Sequence, residues 1–399
     1  MKPLDLLVLG GGPAGAAIAA LAAERGARVL VADRDRFPRD KVCGEFLSVE
    51  GQGVLERLGV MRTLLAAGAV GIARSTITSR AGRAVDAPLP DLPGIGREAL
   101  GVSRRLLDAT LVDRARALGA MVRERCEAVV PVLEDGRVAG ARLRGVGRRD
   151  EGEDVVAALV IGADGRRSAL ARVLHPSLGD PPRCGPRSWF GLEVHLEGGS
   201  SAPRDRVELH LFDGGYAGIG PVEGGRVDLC FMVRVAALRA CGGSPERVVR
   251  ERILANPAAR RSLAGTTACS SWKSVGPLRF GPRRPTAAGA LFVGDAAGTI
   301  DPFCGEGISN ALKGAEVALP FALDAAARGG LGKDAARGYE RAWRAAFVPV
   351  TRRARAIGFL FGHPAVGDAV IALLSGIASP LLPRLVAATR TGRSGALAG

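Results

Sequence analysis

The chain opens on an apolar run, residues 6–9, that breaks at Gly10-Gly11-Gly12 and resumes as an alanine-rich stretch to about residue 23. A second apolar run, 29–32, closes on Asp33. Short apolar runs flanking a segment of helical length predict strand, turn, helix, strand. A polar, proline-containing connection, 34–41, leads to Val42-Cys43-Gly44-Glu45, and a helix is expected over 49–58. Residues 70–100 read as short strands and turns, with Pro88, Pro90 and Pro93 marking loops. Ser103 is a predicted N-cap for an amphipathic helix running to about residue 118. Strands follow over 121–132, 138–144 and 155–161, the last a buried run that delivers Gly162-Ala163-Asp164-Gly165.

Between about 185 and 275 the pattern switches to alternation. It predicts an antiparallel sheet of strands 188–196, 206–212, 215–221 and 227–233, one helix over 245–254, and an end to the sheet at Trp272-Lys273. A short buried strand, 290–293, then meets Gly294-Asp295, and the chain beyond Ile308 is mainly helical. The chain therefore leaves its first domain for a separate sheet and returns. The fold expected is α/β: a Rossmann-type nucleotide-binding domain (1–74, 101–184 and 276–330), an inserted mixed or antiparallel substrate-domain sheet (75–100 and 185–275), and a C-terminal helical region (331–399).

The opening pattern carries chemistry. Gly10 suits the tight turn, Gly12 lets backbone approach a pyrophosphate, and Gly15 lets helix and strand pack closely. The helix start, Pro13-Ala14-Gly15, offers free N–H groups and a positive dipole end to phosphate. Asp33 stands where a carboxylate accepts hydrogen bonds from a ribose, with Arg34 beside it. This order of elements reads as a dinucleotide site.

Composition narrows the partners. The formal net charge is +15, from 55 basic residues of which five are lysine. Such a surface attracts nucleic acid, anionic lipid or phosphorylated cosubstrates. With 4% aromatic residues and no basic stripe interleaved with aromatics, nucleic acid is not an expected partner. The seven cysteines (43, 126, 184, 230, 241, 269, 304) contain no Cys-x-x-Cys pair, so neither a disulfide framework nor a metal site is expected. The N-terminus runs straight into the first strand, and cytoplasmic residence is the expectation. In the tail, 339–361 is a basic, apolar helical segment, and 366–386 is apolar but interrupted by Asp368, Pro380 and Pro383. Two readings stand: helices that cover a pocket, or a peripheral membrane contact. Oligomeric state is not legible.

Three separated segments coincide with one family. They are Gly10 to Gly15; Gly162-Ala163-Asp164-Gly165-x-x-Ser168; and Gly294-Asp295-Ala-Ala-Gly298-x-x-Asp301-Pro302-x-x-Gly305-Glu306-Gly307-Ile308. Together they resemble the FAD-dependent oxidoreductases typified by para-hydroxybenzoate hydroxylase, which include geranylgeranyl reductases and flavin-dependent halogenases. The resemblance spans about residues 1–320 and implies bound FAD. It implies that Asp295 accepts from the ribityl hydroxyls, that Pro302 turns the chain beside the isoalloxazine, and that Gly305 to Ile308 open a helix toward flavin N1 and the C2 carbonyl. Arg104 matches the family's flavin-contacting arginine, and Cys43-Gly44 resembles the Cys-Gly-Gly segment of the prenyl reductases. Asp164-Gly165 resembles the fingerprint associated with NAD(P)H, the electron donor implied, although Ala171 stands where that pattern has arginine. Arg39 and Lys41 are read evenly as phosphate contacts or as loop residues.

The activity expected is an NAD(P)H-dependent monooxygenase acting on a lipophilic or aromatic small molecule. The rivals are an oxygen-independent reductase of isoprenoid double bonds and a flavoprotein that matures a partner protein. On the substrate side, Glu193/His195 and Glu208/His210 share sheet faces by the period of two. They are read as the solvent side, with His210 as a candidate base for a phenol. Tyr216 is the candidate hydrogen-bonding group at the pocket, and Cys43 and Cys304 are read as buried thiols near the flavin.

Overall fold

Strand Leu4–Leu9 and helix Pro13–Ala23 follow from the opening pattern, and the helix is buried along its whole length. That burial explains its alanines: it is sandwiched between helices Gly307–Arg328 and Arg104–Ala117, where small side chains permit close approach. These features come from a computed structural model, which describes residues 4–89, 98–148, 152–175 and 184–377.

The central sheet places Leu4–Leu9 between Val29–Ala32 and Glu153–Gly162, parallel to both. Met121–Arg123 extends it on one side and Ala290–Phe292 on the other, also in parallel. All four residues of Val29–Ala32 are buried, as expected for a parallel strand covered on both faces. The expected strand 121–132 divides at Arg125, whose φ of +52° turns the chain. Met121–Arg123 stays in the central sheet, whereas Cys126–Glu134 pairs with Arg137–Gly145.

The second sheet is mixed rather than purely antiparallel. Trp189–Gly198, Val227–Arg234, Gly215–Pro221 and Arg206–Phe212 pair antiparallel in that order. Arg206–Phe212 then runs parallel to Arg74–Thr78, which pairs with Ala84–Pro88. The parallel pair is permitted because the connection between its strands is long and passes through the middle part of the first domain. Lys273 does not end the sheet but begins strand Lys273–Leu278 on the edge of Trp189–Gly198. The expected helix 245–254 is α-helical only over Pro245–Val248 and widens to a π-type turn over Val249–Ile253.

Two helices, Lys333–Phe361 and Pro364–Ile377, come last among the described residues. The first is tied to the central sheet by Tyr339, whose hydroxyl donates to the Phe292 carbonyl at 2.6 Å. The two bend by about 100° at their junction, and no single helix among the described residues is long and apolar enough to cross a membrane. Pro90, Pro93, Pro380 and Pro383 lie outside the described residues.

Candidate active site

Two cavities adjoin between the sheets. The first, about 190 Å³, is walled by the motifs. Gly12, Pro13 and Ala14 come from the first helix start, Gly165 from just beyond strand Glu153–Gly162, and Gly294-Asp295 from just beyond strand Ala290–Phe292. Pro302, Gly305, Gly307 and Ile308 close it from the start of Gly307–Arg328, and Cys43, Gly44, Arg104 and Lys41 from the opposite side. Gly10 and Gly15 shape the turn instead of lining it: a Cβ on Gly15 would sit 1.8 Å from the Gly10 carbonyl oxygen. Gly305 has φ +67°, and a Cβ there would lie 2.9 Å from the Phe46 ring. Neither position accepts a side chain without moving backbone or ring.

The cavity's charge suits a polyanion. Neither bordering helix has a side-chain cap, so the first N–H groups of Pro13–Ala23 and Gly307–Arg328 are left for another acceptor. A Cβ on Gly12 would lie 3.7 Å from guanidinium nitrogens of both Arg39 and Arg104. Those arginines are buried and converge on Asp108: Arg104 Nε and Nη2 at 2.9 and 2.7 Å, and Arg39 Nη1 at 2.8 Å. Lys41 is pushed down to about 8 by burial and by the charges of Arg104 and Arg39. Two guanidiniums around one carboxylate leave a net positive wall.

The remaining candidates, Asp33, Arg34, Asp164 and Glu306, do not line this cavity. Asp33 is buried, and its carboxylate accepts from the Gly11 N–H at 2.6 Å and the Asp35 N–H at 2.8 Å. Asp164 accepts from the Ala169 N–H at 2.8 Å, and burial raises its carboxyl above the usual range. Glu306 is buried and accepts from the Ser48 hydroxyl at 3.3 Å. Arg34 is exposed and lies away from the cavity.

A family model described as an FAD binding domain matches residues 4–353. The chain belongs to that FAD-binding family. Digeranylgeranylglycerophospholipid reductase 2 of Methanopyrus kandleri is 29% identical over 356 residues, covering 86% of this chain and 83% of that protein. The menaquinone reductase of Mycolicibacterium smegmatis is 30% identical over 336 residues, covering 77% and 74%. A geranylgeranyl bacteriochlorophyll reductase-like protein from Thermoplasma acidophilum superposes with TM-score 0.78 at 21% identity, over 98% of this chain and 96% of that one. The chain is an FAD-dependent oxidoreductase.

The second cavity of this flavoprotein is larger, about 280 Å³, and almost wholly apolar. Ile77 and Val85 come from strands before residue 100, Leu209 and Met232 from the second sheet, and Phe361 and Ile371 from the two closing helices. Gly44, Phe46, Cys230, Met232, Pro302 and Gly305 line both cavities, so the two share a wall. Tyr216 lines the apolar cavity, edge-on to Phe303 at 5.0 Å. Burial and the charge of Asp301 push its phenol well above the usual range, so it stays neutral. Cys304 lines the apolar cavity and Cys43 the cofactor cavity, where burial raises its thiol.

The histidines are not on the solvent side. His210 is 1% exposed, with Nδ1 2.8 Å from the Thr78 hydroxyl and Nε2 3.0 Å from Glu208. Both ring nitrogens are engaged and neither cavity is reached, so His210 has no route to a bound phenol. His195 is 2% exposed and faces inward, its Nε2 2.8 Å from Glu45. The alternation was the right signal for which residues share a face. It was silent on which face is covered, because the cover is the Cys43–Glu45 segment, some 150 residues distant in sequence.

Glu45 is the residue that motif reading missed. Its φ of +47° is unusual for a side-chain-bearing residue, and four hydrogen bonds hold the segment there. Its carbonyl accepts from Val102 N–H at 3.0 Å, Oε1 from Arg104 N–H at 2.7 Å, and Oε2 meets His195; Cys43 N–H donates to Glu193 at 2.7 Å. Glu45 also stands at the N-terminus of helix Arg104–Ala117, where the dipole favours its charge.

Proposed function

We propose that this flavoprotein saturates carbon–carbon double bonds in a long isoprenoid chain. The observation that carries the reading is the apolar cavity sharing a wall with the cofactor cavity and offering no base to activate a phenol: Tyr216 is a neutral phenol, and both His195 and His210 lie elsewhere. The relatives named above support it. They are reductases, and the lipids in their names, digeranylgeranylglycerophospholipid and menaquinone, are isoprenoid compounds. The other activity expected from the sequence, hydroxylation of a lipophilic or aromatic molecule, would for a phenol also need a base, which this lining does not offer.

Bound FAD supplies the hydride and its electron pair. Gly12, Pro13, Ala14, Gly165, Gly294 and Asp295 are the residues we assign to its phosphates and ribityl chain, with Arg39 and Arg104 neutralising the pyrophosphate. The helix start at Gly307 and Ile308 lines the cofactor cavity, where its dipole would favour a reduced, anionic flavin. Ile77, Val85, Leu209 and Ile371 would hold the prenyl chain by burial alone, at about 0.8 kcal/mol per methylene. NAD(P)H is the donor we assign by the family resemblance, and anaerobic bleaching of the yellow chromophore on mixing tests that part separately.

The reading is tested by mixing chemically reduced holoprotein with a polyprenyl lipid in the absence of oxygen. Return of the oxidised flavin spectrum at a rate that depends on lipid concentration is expected. A reduced flavin that persists until oxygen is admitted would favour the monooxygenase.

A further inference from the structure

Behind the wall shared by the cavities lies a sealed polar cluster. Glu193 and His195 come from Trp189–Gly198, Asp228 from the neighbouring strand directly opposite His195, and Glu45 from the Cys43–Glu45 segment. One side-chain nitrogen or oxygen of each lies within 4.8 Å of one from every other, and all four residues are buried. Asp228 is 2% exposed and Glu193 0%, yet Asp228 Oδ1 and Glu193 Oε1 have no hydrogen-bond partner among the described residues.

Other charged or titratable groups face the cluster from each surrounding element. Lys273 Nζ lies 3.9 Å from Glu193 Oε1 and 4.0 Å from Asp40, and both the Lys273 and Asp40 side chains are partly exposed. Arg104 sits behind Glu45 but is paired with Asp108. The thiols of Cys43 and Cys230 adjoin the acids and are neutral, burial raising both. Three ionised carboxylates against one imidazolium and one ammonium would leave a buried excess negative charge and two unpaired oxygens. Such an arrangement is costly unless a proton is retained.

We propose that Glu45, Glu193, His195 and Asp228 are a proton store serving the cofactor cavity, with Glu45, which lines that cavity, as its outlet. Titration tendencies agree with the geometry. Burial and the neighbouring Glu45 charge push Glu193 up to about 7, and burial followed by the charges of Glu45 and Glu193 raises Asp228 well above the usual carboxylate range. Burial alone would lower the His195 imidazolium, but the bond to Glu45 together with the charges of Glu45 and Glu193 outweighs it and raises the group. The chemistry rests on the alkene-reductase reading. A hydride adds to one alkene carbon with its electron pair, and the π electrons take a proton at the other. The store gives that proton, and water returns it past Asp40 and Lys273. With that proton retained, two carboxylates face one imidazolium and the Lys273 ammonium, and the cluster needs no divalent cation to balance its charge.

The test is a redox-triggered infrared difference spectrum of the holoprotein at about pH 7. A protonated carboxylic acid band that shifts in heavy water is expected. It should vanish in Asp228→Asn or move in Glu193→Gln, in preparations that retain flavin. Alkene reduction by Asp228→Asn should fall about 100-fold. Wild-type protein without the band, a band indifferent to both substitutions, or a stoichiometric divalent metal in the purified holoprotein would overturn the proposal. The spectrum needs no alkene, so its failure is separable from failure of the reductase reading.

Discussion

The two adjoining cavities are built in opposite ways. The cofactor cavity is backbone and fixed charge, contributed by continuous motifs at the ends of parallel strands. The apolar cavity is made of isolated side chains from strands, loops and two closing helices, most of which would pass for ordinary core. A polyanionic cofactor needs N–H groups and cations at fixed places, so its site leaves a spaced signature in sequence. A hydrocarbon needs only volume and the absence of water, and its site leaves none.

The difference can be broken most severely at the glycine turn. Gly15→Val would drive a side chain into the Gly10 carbonyl, and loss of folded yellow protein is expected, at about 3 kcal/mol or more. Flavin absorbance per protein after purification checks it. Arg104→Met comes next, because it strips one of two guanidiniums from the buried Asp108. A stability loss of about 3–5 kcal/mol and reduced flavin content are expected from denaturant unfolding and absorbance.

The apolar cavity should respond in the converse manner. A Cβ on Gly218 meets only ordinary contacts, so Gly218→Leu should fold, keep its flavin and fill the cavity. Turnover of a polyprenyl lipid should fall by about 30-fold, corresponding to about 2 kcal/mol of lost binding. Equal loss of flavin would erase the distinction between the two sites.

Smaller effects probe the wall between them. Glu193 binds its proton more tightly folded than unfolded, so it weakens the fold as pH rises from about 4.5, and the penalty is complete above about 7. Glu193→Gln should therefore gain thermal stability relative to wild type as pH is raised through that window, and melting curves at several pH values check the sign. The least effect is expected of Asp368→Ala, which frees the last helix from Arg80, whose Nε lies 2.8 Å away. That partly exposed pair is worth about 1 kcal/mol at most, read as a small drop in melting temperature.

The same contrast explains how much was legible beforehand. The parallel sheet, the Ser103 cap and the convergence of Gly12, Asp295 and Gly307 on one cavity follow from local patterns. Ser103 indeed accepts from the Leu106 N–H at 3.0 Å. Which face of Trp189–Gly198 is covered was not legible, because Glu45 reaches it from a distant segment by adopting an unfavoured backbone conformation. The parallel pairing of Arg206–Phe212 with Arg74–Thr78 was hidden for a similar reason: alternation shows a strand's faces but not its neighbours.

The most direct measurement is the mass of the product formed from a polyprenyl lipid by reduced holoprotein with oxygen rigorously excluded. The account predicts a lipid that has gained a pair of hydrogens at one double bond. An unchanged lipid without oxygen, together with an oxygen-bearing product once air is admitted, would contradict it.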